Sequence, residues 1–447
     1  MTGVEGDYNL HVQPFYFSTG SRTFSFIQAL IYCFRNPLSL TAEMVNRFIN
    51  FTAASLVILL CGSAAFGTEI DYSPVKAPVA GICKTLVETQ GYACEEHMVI
   101  TEDGYILSLQ RIPMGRLGKT DGDRPPVLLQ HGLLMDGITW LLNPQDQALA
   151  FVMADNGFDV WVASTRGTKY SRGHTYLSTD NPAYWDWSWD ELVAYDLPAT
   201  VQYVMRQAGQ KLYYVGHSLG TLIALASFSK GNLINMVRSA ALLSPIAYLS
   251  QMSSPLAINA AENFIAETLY SVGVHEFDPR GNDVIELLKS LCLNPGLDCF
   301  DLLTTFTGQN CCLNSSTVQL FLEHEPQPTS TKNIIHLSQM IRGGGYIAMF
   351  NYSSEADNMK HYGQMKPPLY EMVGIAGKLP LLISYGGKDA LSDSIDVGML
   401  IQMLQKGGHK MVVQLNVDYG HADYVMGVNA RQDVYDPLIS FFRSTRI

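Results

Sequence analysis

Charge is scarce in this chain, and basic charge is scarcest. Asp, Glu, Lys and Arg make up 16% of the residues, with 29 Lys and Arg against 41 Asp and Glu. The net charge is −12 and the pI about 5.3. Such a balance disfavours nucleic acid or an anionic membrane surface as partner. No C-x-x-C pair occurs, so a thiolate metal site is not indicated. No H-E-x-x-H, no phosphate-binding G-x-x-x-x-G-K-[ST] and no G-x-G-x-x-G occurs either. The sequence therefore calls for no cofactor and no metal. Internal repeats and low-complexity tracts are missing, which argues against a solenoid or a disordered chain.

What is present is bulk. The chain has 447 residues, 47% of them hydrophobic, enough for one large core or a core with an insertion. Residues 1–43 are aromatic and Ser-rich and read as an upstream extension outside the mature protein. Met44 opens a second candidate start. Arg47 supplies a positive charge, residues 48–61 an apolar segment, and Gly62-Ser63-Ala64-Ala65-Phe66-Gly67 small residues. That order predicts a secretory signal peptide over 44–67. Its apolar segment is short for a bilayer span, so no stable transmembrane segment is expected after cleavage. A signal anchor with a short cytoplasmic tail is the rival reading.

Cysteine usage agrees with export. Cys33 and Cys61 precede the expected cleavage point. Cys83, Cys94, Cys292, Cys299, Cys311 and Cys312 remain, an even count that suggests disulfides. Four of them crowd into 292–312, and adjacent Cys311 and Cys312 are expected to pair outward rather than with each other. Asn314-Ser315-Ser316 and Asn351-Tyr352-Ser353 are acceptor sequons for N-glycosylation.

Short apolar runs mark strands. His97–Thr101 and Tyr105–Ile112 flank Glu102-Asp103-Gly104 as a hairpin. Buried strands follow at Val127–Gln130, Asp159–Ala163 and Leu212–Val215, and further strands at Ala240–Ser244, Leu379–Ser384 and Met411–Leu415. Residues 191–208 read as a helix in which Pro198 kinks the chain or marks a first turn. Strands separated by helical stretches predict a mostly parallel sheet flanked by helices, an α/β fold. The rhythm stops over 245–378, which reads as an inserted helical cap, leaving 68–244 and 379–447 as the core. In α/β folds the site lies at the carboxyl ends of the strands.

One stretch carries chemistry. Tyr213-Tyr214-Val215 leads into Gly216-His217-Ser218-Leu219-Gly220 and then a helix-like run. In a chain with 37 glycines the bare G-x-S-x-G pattern means little; its strand-turn-helix setting is the signal. The turn strains the serine backbone and leaves no room for bulky neighbours. Ser218 is then the candidate nucleophile, and the Leu219 N–H at the helix start a candidate oxyanion donor.

A serine needs a base and the base needs a carboxylate. On this fold they follow in the order Ser, Asp or Glu, His. Asp389 lies in Tyr385-Gly386-Gly387-Lys388-Asp389, just past one strand. Asp393 and Asp396 are rivals, expected to be solvated. His421, the last histidine, lies past the next strand. His131-Gly132-Leu133 follows an early strand, and Leu133 N–H is the candidate second donor. His131 reads as structural, and His217 as a packing or hydrogen-bonding residue with the wrong geometry to serve its neighbour. The set implies acyl transfer to water through an acyl-enzyme.

From about Gly81 onward the chain resembles the acid lipase family of α/β-hydrolases, closest to its plant triacylglycerol lipase-like members. The residues carrying this are Thr101-Glu102-Asp103-Gly104-Tyr105, Gln130-His131-Gly132-Leu133-Leu134, Asp159-Val160-Trp161, Tyr195-Asp196-Leu197-Pro198, Gly216-His217-Ser218-Leu219-Gly220 and Asp436-Pro437-Leu438. Leu219 stands where animal members carry glutamine, which alters a pocket wall and leaves the backbone donor. The resemblance implies a neutral lipid ester substrate at a lipid–water interface, a mobile lid within 245–378 beside the Cys cluster, and an extracellular or vacuolar/lysosomal location. Residues 301–306 are apolar enough for a lid facing lipid; a core helix reads identically. The rival readings are a short-chain carboxylesterase, a serine peptidase, and a silent lipophilic-ligand binder on the same scaffold.

Overall fold

The computed structural model describes residues 81–118, 123–281, 302–375, 377 and 379–445. The expected extension 1–43, the expected leader 44–67, and Cys292 and Cys299 lie outside the described residues.

A mixed sheet organises the chain. Its strands are β1 (Glu95–Ile100), β2 (Tyr105–Ile112), β3 (Pro126–Gln130), β4 (Asp159–Ala163), the short β5 (Gly173–His174), β6 (Leu212–His217) and β7 (Val237–Leu243). After the ribbon strands β8 (Glu276–Phe277) and β9 (Thr329–Ser330) come β10 (Leu381–Gly386) and β11 (Met411–Asn416). The spatial order is β1-β2-β4-β3-β6-β7-β10-β11, with β5 against β2. The hairpin β1–β2 and the pair β2–β4 are antiparallel; β4, β3, β6, β7, β10 and β11 run parallel.

Alternation explains the layers. Successive strand side chains point to opposite faces. In β3, Leu128 enters one apolar cluster, and Val127 and Leu129 the other. In β4, Trp161 and Ala163 join the first, and Val160 and Val162 the second. Both faces are covered, which is why the central strands read as unbroken apolar runs. Helix Leu219–Ser229 is apolar all round for the same reason, with every residue from Leu219 to Phe228 buried. Each such Leu or Ile stabilises by roughly 2 kcal/mol.

The 191–208 expectation resolves into three pieces. Trp189–Glu191 is capped by Ser188, Leu192–Asp196 widens into a π-turn, and Leu197–Ala208 starts with Pro198 in its first turn. The helical backbone runs unbroken through Asp196 and Leu197, and the π-turn just before Pro198 is where the ladder accommodates a residue with no N–H to donate.

Between β7 and β10 the described residues add no strand to this sheet. They form helices Pro255–Glu262, Ile265–Ser271, Leu302–Thr307, Ser315–His324, Thr331–Gly343 and Glu355–Tyr362, and the antiparallel ribbon β8–β9. In helix Leu302–Thr307, Leu303 packs against the second apolar cluster and Phe306 is half-buried, the placement of a core-side helix. No helix among the described residues is long and apolar enough to cross a membrane.

Candidate active site

Register brings four loops to one edge. Gln130 pairs with Gly216, His217 with Leu243, Leu243 with Ser384, and Gly386 with Asn416. Because the parallel strands end in step, the loops leaving their carboxyl ends converge: 131–133 after β3, Ser218 after β6, Asp389 after β10 and His421 after β11.

Ser218 occupies the sharp turn, with φ 54° and ψ −121°. A non-glycine residue there costs about 1–3 kcal/mol and persists only where its surroundings over-determine it. Its N–H donates to the Leu243 carbonyl (3.1 Å), and its own carbonyl accepts from the Thr221 N–H (2.8 Å) and hydroxyl (2.6 Å). A Cβ on Gly220 would sit 2.5 Å from the Gln130 carbonyl oxygen, so no larger residue lets the helix start this close to the sheet. Leu219 is the first residue of that helix, and its N–H has no intrahelical acceptor. A Cβ on Gly132 would meet Ser218 Cβ at 2.9 Å and Oγ at 3.3 Å, so the 131–133 turn lies directly against the serine.

Asp389 and His421 are in contact: His421 Nδ1 lies 3.0 and 2.9 Å from the two carboxylate oxygens. The Leu391 and Ser392 N–H groups donate to Asp389 Oδ1 at 2.9 and 2.8 Å. Burial pushes this carboxyl up, but His421 and the backbone donors outweigh it and hold it below the usual carboxylate range. The three side chains are nearly sealed: Ser218 is 6% exposed, Asp389 5% and His421 5%. Among the described residues no hydrogen bond links Ser218 Oγ to His421; such contacts often tighten only with substrate bound.

The other two histidines are occupied. His217 Nε2 donates to the His421 carbonyl (3.1 Å), with the two rings 4.7 Å apart. Burial, then His421, push His217 down to about 3. His131 Nδ1 contacts the Gly132 carbonyl (2.8 Å), and its Nε2 accepts the Thr165 N–H (3.0 Å). Burial pushes it down to about 4.

Asp393 and Asp396 stand apart from His421. Asp393 caps helix Ser394–Lys406 by accepting from the Ile395 N–H. Asp396 is not solvated as expected: it is buried and accepts from Ser250 Oγ (3.0 Å) and the Gln251 N–H (2.8 Å). As the third residue of its helix it faces inward, and 250–251 supply the donors its burial demands.

Cysteine pairing also departs from expectation. Cys83 bonds Cys94, while Cys311 and Cys312 bond each other rather than pairing outward. Both N–H groups of the latter pair point to Asp423, at 3.0 Å each, and the Cα atoms lie 3.7 Å apart, so the sulfurs meet. Cys311, Cys312 and Asp423 are also the one grouping among the described residues with metal-ligand spacing, but the disulfide consumes both thiolates.

Asp423 was not legible in the sequence. Besides the two cysteine N–H groups it accepts the Gly420 N–H (2.8 Å), tying 311–312 to the histidine loop. Asn310 Oδ1 accepts the Ala422 N–H (3.0 Å). Adjacency to His421 was the only available signal for Asp423; for Asn310 there was none.

Residues 83–144 match a family described as a partial α/β-hydrolase lipase region, and residues 125–272 match the α/β-hydrolase fold. Triacylglycerol lipase 2 of Arabidopsis thaliana is 50% identical over 382 residues, covering 85% of this chain and 91% of that protein. Human lysosomal acid lipase/cholesteryl ester hydrolase is 36% identical over 372 residues, covering 80% and 90%. Gastric triacylglycerol lipase of Rattus norvegicus is 37% identical over 358 residues, covering 78% and 88%. Among solved structures, a lipase in open form aligns with TM-score 0.50 at 15% identity, covering 79% of this chain and 99% of that one. A soluble variant of the Saccharomyces cerevisiae monoglyceride lipase aligns with TM-score 0.50 at 16% identity, covering 83% and 99%. At that identity the structures speak for the fold.

Proposed function

The chain belongs to the acid lipase family of α/β-hydrolases, and we propose that it hydrolyses carboxylic esters of neutral lipids, with Ser218 as nucleophile. The observation that carries the assignment is the buried Asp389–His421 contact at the same sheet edge as the strained Ser218.

His421 Nε2 takes the Ser218 proton while Asp389 holds Nδ1–H and stabilises the imidazolium. Ser218 Oγ attacks the ester carbonyl carbon. The N–H groups of Leu219 and Leu133 take the oxyanion, the first at a helix start and the second on the turn that abuts Ser218. Collapse returns the proton to the departing alcohol and leaves an acyl-Ser218. Water, deprotonated by His421, releases the carboxylic acid. Burial lowers His131 to about 4 and His217 to about 3, so above those values both stay neutral and neither competes for that proton.

Residues 245–378 serve as the cap. Exposed Phe264, Val272, Leu322 and Tyr346 on this insertion support contact with lipid. Triacylglycerol and sterol esters are the substrate class, following the names of the relatives. Entry requires the cap to part, because the site is nearly closed. The protein enters the secretory pathway on the 44–67 leader and acts outside the cell or in an acidic vacuole. Exposed Asn314 and Asn351 carry glycans; Asn314 Oδ1 accepts from the Ser316 N–H and hydroxyl, and its Nδ2 makes no hydrogen bond among the described residues.

The test is fatty acid release from emulsified long-chain triacylglycerol by purified protein, with Ser218→Ala and a soluble short-chain ester alongside. Long-chain turnover that the substitution abolishes is the expected result. Turnover of the soluble ester alone would make the protein a carboxylesterase, and turnover undiminished in Ser218→Ala would remove the nucleophile.

A further inference from the structure

The turn that begins at Leu133 is held from outside the core. Leu134 has φ 58°, and its carbonyl accepts the Gln327 N–H (2.8 Å). Two residues on, the Asp136 N–H donates to Glu325 Oε1 (3.0 Å), as does the Thr139 hydroxyl (3.3 Å). Gln327 Oε1 in turn accepts the Lys169 N–H (2.9 Å), and its Nε2 donates to the His324 carbonyl (2.7 Å). Two residues of the segment between β7 and β10, Glu325 and Gln327, thus hold the turn at Asp136 and at Leu134.

Glu325 and Asp136 are each 0% exposed. Asp136 Oδ1 accepts the Ile138 N–H (2.8 Å). Asp136 Oδ2 and Glu325 Oε2 are buried, and neither accepts a hydrogen bond from any N–H or hydroxyl among the described residues. The two carboxyl groups act on each other directly. Lys169 is the cation whose charge reaches Asp136, and Tyr170, in the loop after β4, is the further titratable group that both carboxyls act on. Arg280 bonds the Glu325 backbone carbonyl, not the carboxylate. Two ionised carboxylates in that setting would each lack the water and the partner that a buried charge requires.

We propose that Glu325 is a positioning residue for the 132–136 turn, acting through a carboxyl pair with Asp136 that holds a single proton. The proton sits on Glu325 Oε2 and is donated to the Asp136 carboxylate, while Glu325 Oε1 remains the acceptor for Asp136 N–H and Thr139. This inference rests on the reading of Leu133 as an oxyanion donor to Ser218. Burial pushes both groups above the usual carboxylate range, and for Glu325 the Asp136 charge adds to it. A folded-state value raised above the unfolded one stabilises at low pH and loses that contribution as pH rises. The second ionisation then drives 325–327 off the turn, and oxyanion binding goes with it.

The test is the rate at which a fluorophosphonate labels Ser218 between pH 4 and pH 8, which depends on the oxyanion turn and needs no knowledge of the natural ester. Full-length wild type, Glu325→Gln, Glu325→Ala and Ser218→Ala are compared, with thermal melting of each across the same range. Glu325→Gln keeps the acceptor and the donor but cannot ionise. It should label like wild type at low pH and become faster by about tenfold at the upper end, with a melting temperature that falls less as pH rises. Glu325→Ala should label slower by about ten- to a hundredfold throughout, the scale of a misplaced oxyanion donor. A wild type to Glu325→Gln ratio that stays constant with pH would overturn the inference; that comparison stands even if Glu325→Ala does not fold. Labelling that persists in Ser218→Ala, or is missing in wild type, would instead remove the nucleophile reading and this inference with it.

Discussion

The Thr307 carbonyl accepts the backbone N–H of His421 at 3.1 Å and that of Ala390 at 3.3 Å. One residue of the segment between β7 and β10 therefore ties together the loops that carry the proposed base and its carboxylate. Gly308 adds a bridge to Asp389, and a Cβ on it would lie 2.1 Å from the Lys388 carbonyl oxygen. The segment is built into the site and does not merely cover it.

Asn310 extends that tie by accepting the Ala422 N–H and donating to Thr307 Oγ1 (2.8 Å). Its Nδ2 also donates to the Gly308 carbonyl (3.1 Å), so Asn310→Ala removes three bonds, about 1–3 kcal/mol of local restraint. We expect kcat on a soluble ester to fall about 5- to 30-fold with KM within twofold, read by steady-state kinetics. An unchanged kcat would mean that Thr307 holds His421 unaided.

Asp423 gathers three backbone N–H groups, from Gly420, Cys311 and Cys312. Asp423→Ala leaves all three without an acceptor in a partly buried place. We expect a loss of about 2–4 kcal/mol in stability, seen as a melting temperature lower by several degrees, and a drop in kcat. Asp423→Asn retains one acceptor oxygen and should fall between the two. The two cysteine side chains are not what anchors the loop, so Cys311→Ser with Cys312→Ser should cost less than Asp423→Ala.

Asp389→Asn keeps the shape and removes the charge. We expect kcat to fall by about 10⁴, because the imidazole loses its orienting acceptor. The stability effect has a sign that pH reveals. The folded Asp389 carboxyl lies below its ordinary 3.8, so its stabilising contribution is full above that value and is lost as pH falls beneath it. The melting temperature advantage of wild type over the variant should therefore hold at pH 5 and shrink as pH drops under about 3.8.

Much of the frame could be read directly from residues. β4 spans Asp159–Ala163 and β2 spans Tyr105–Ile112, the bounds that their apolar runs mark. The parallel sheet is implied by strands apolar on both faces, since only a doubly covered sheet tolerates them. Ser218 announces itself by the glycines around it, and Asp389 and His421 by following strands in order. Those are local signals, and local backbone constraints are what a sequence records.

The rest depended on residues far apart in the chain. Nothing near Cys311 says that its neighbour's sulfur is the available one; that depends on Asp423, more than a hundred positions away, holding both N–H groups. Asp396 looks like a helix-start acid, and its burial depends on where 250–251 run. Glu325 and Asp136 are unremarkable as isolated acids and become a proton-sharing pair only when burial removes their water. The sheet, the elbow and the order of Ser218, Asp389 and His421 were set in the primary structure, because strand burial and turn strain act over a few residues. Which polar groups lose solvent together was settled in three dimensions, because desolvation depends on every element packed around a group.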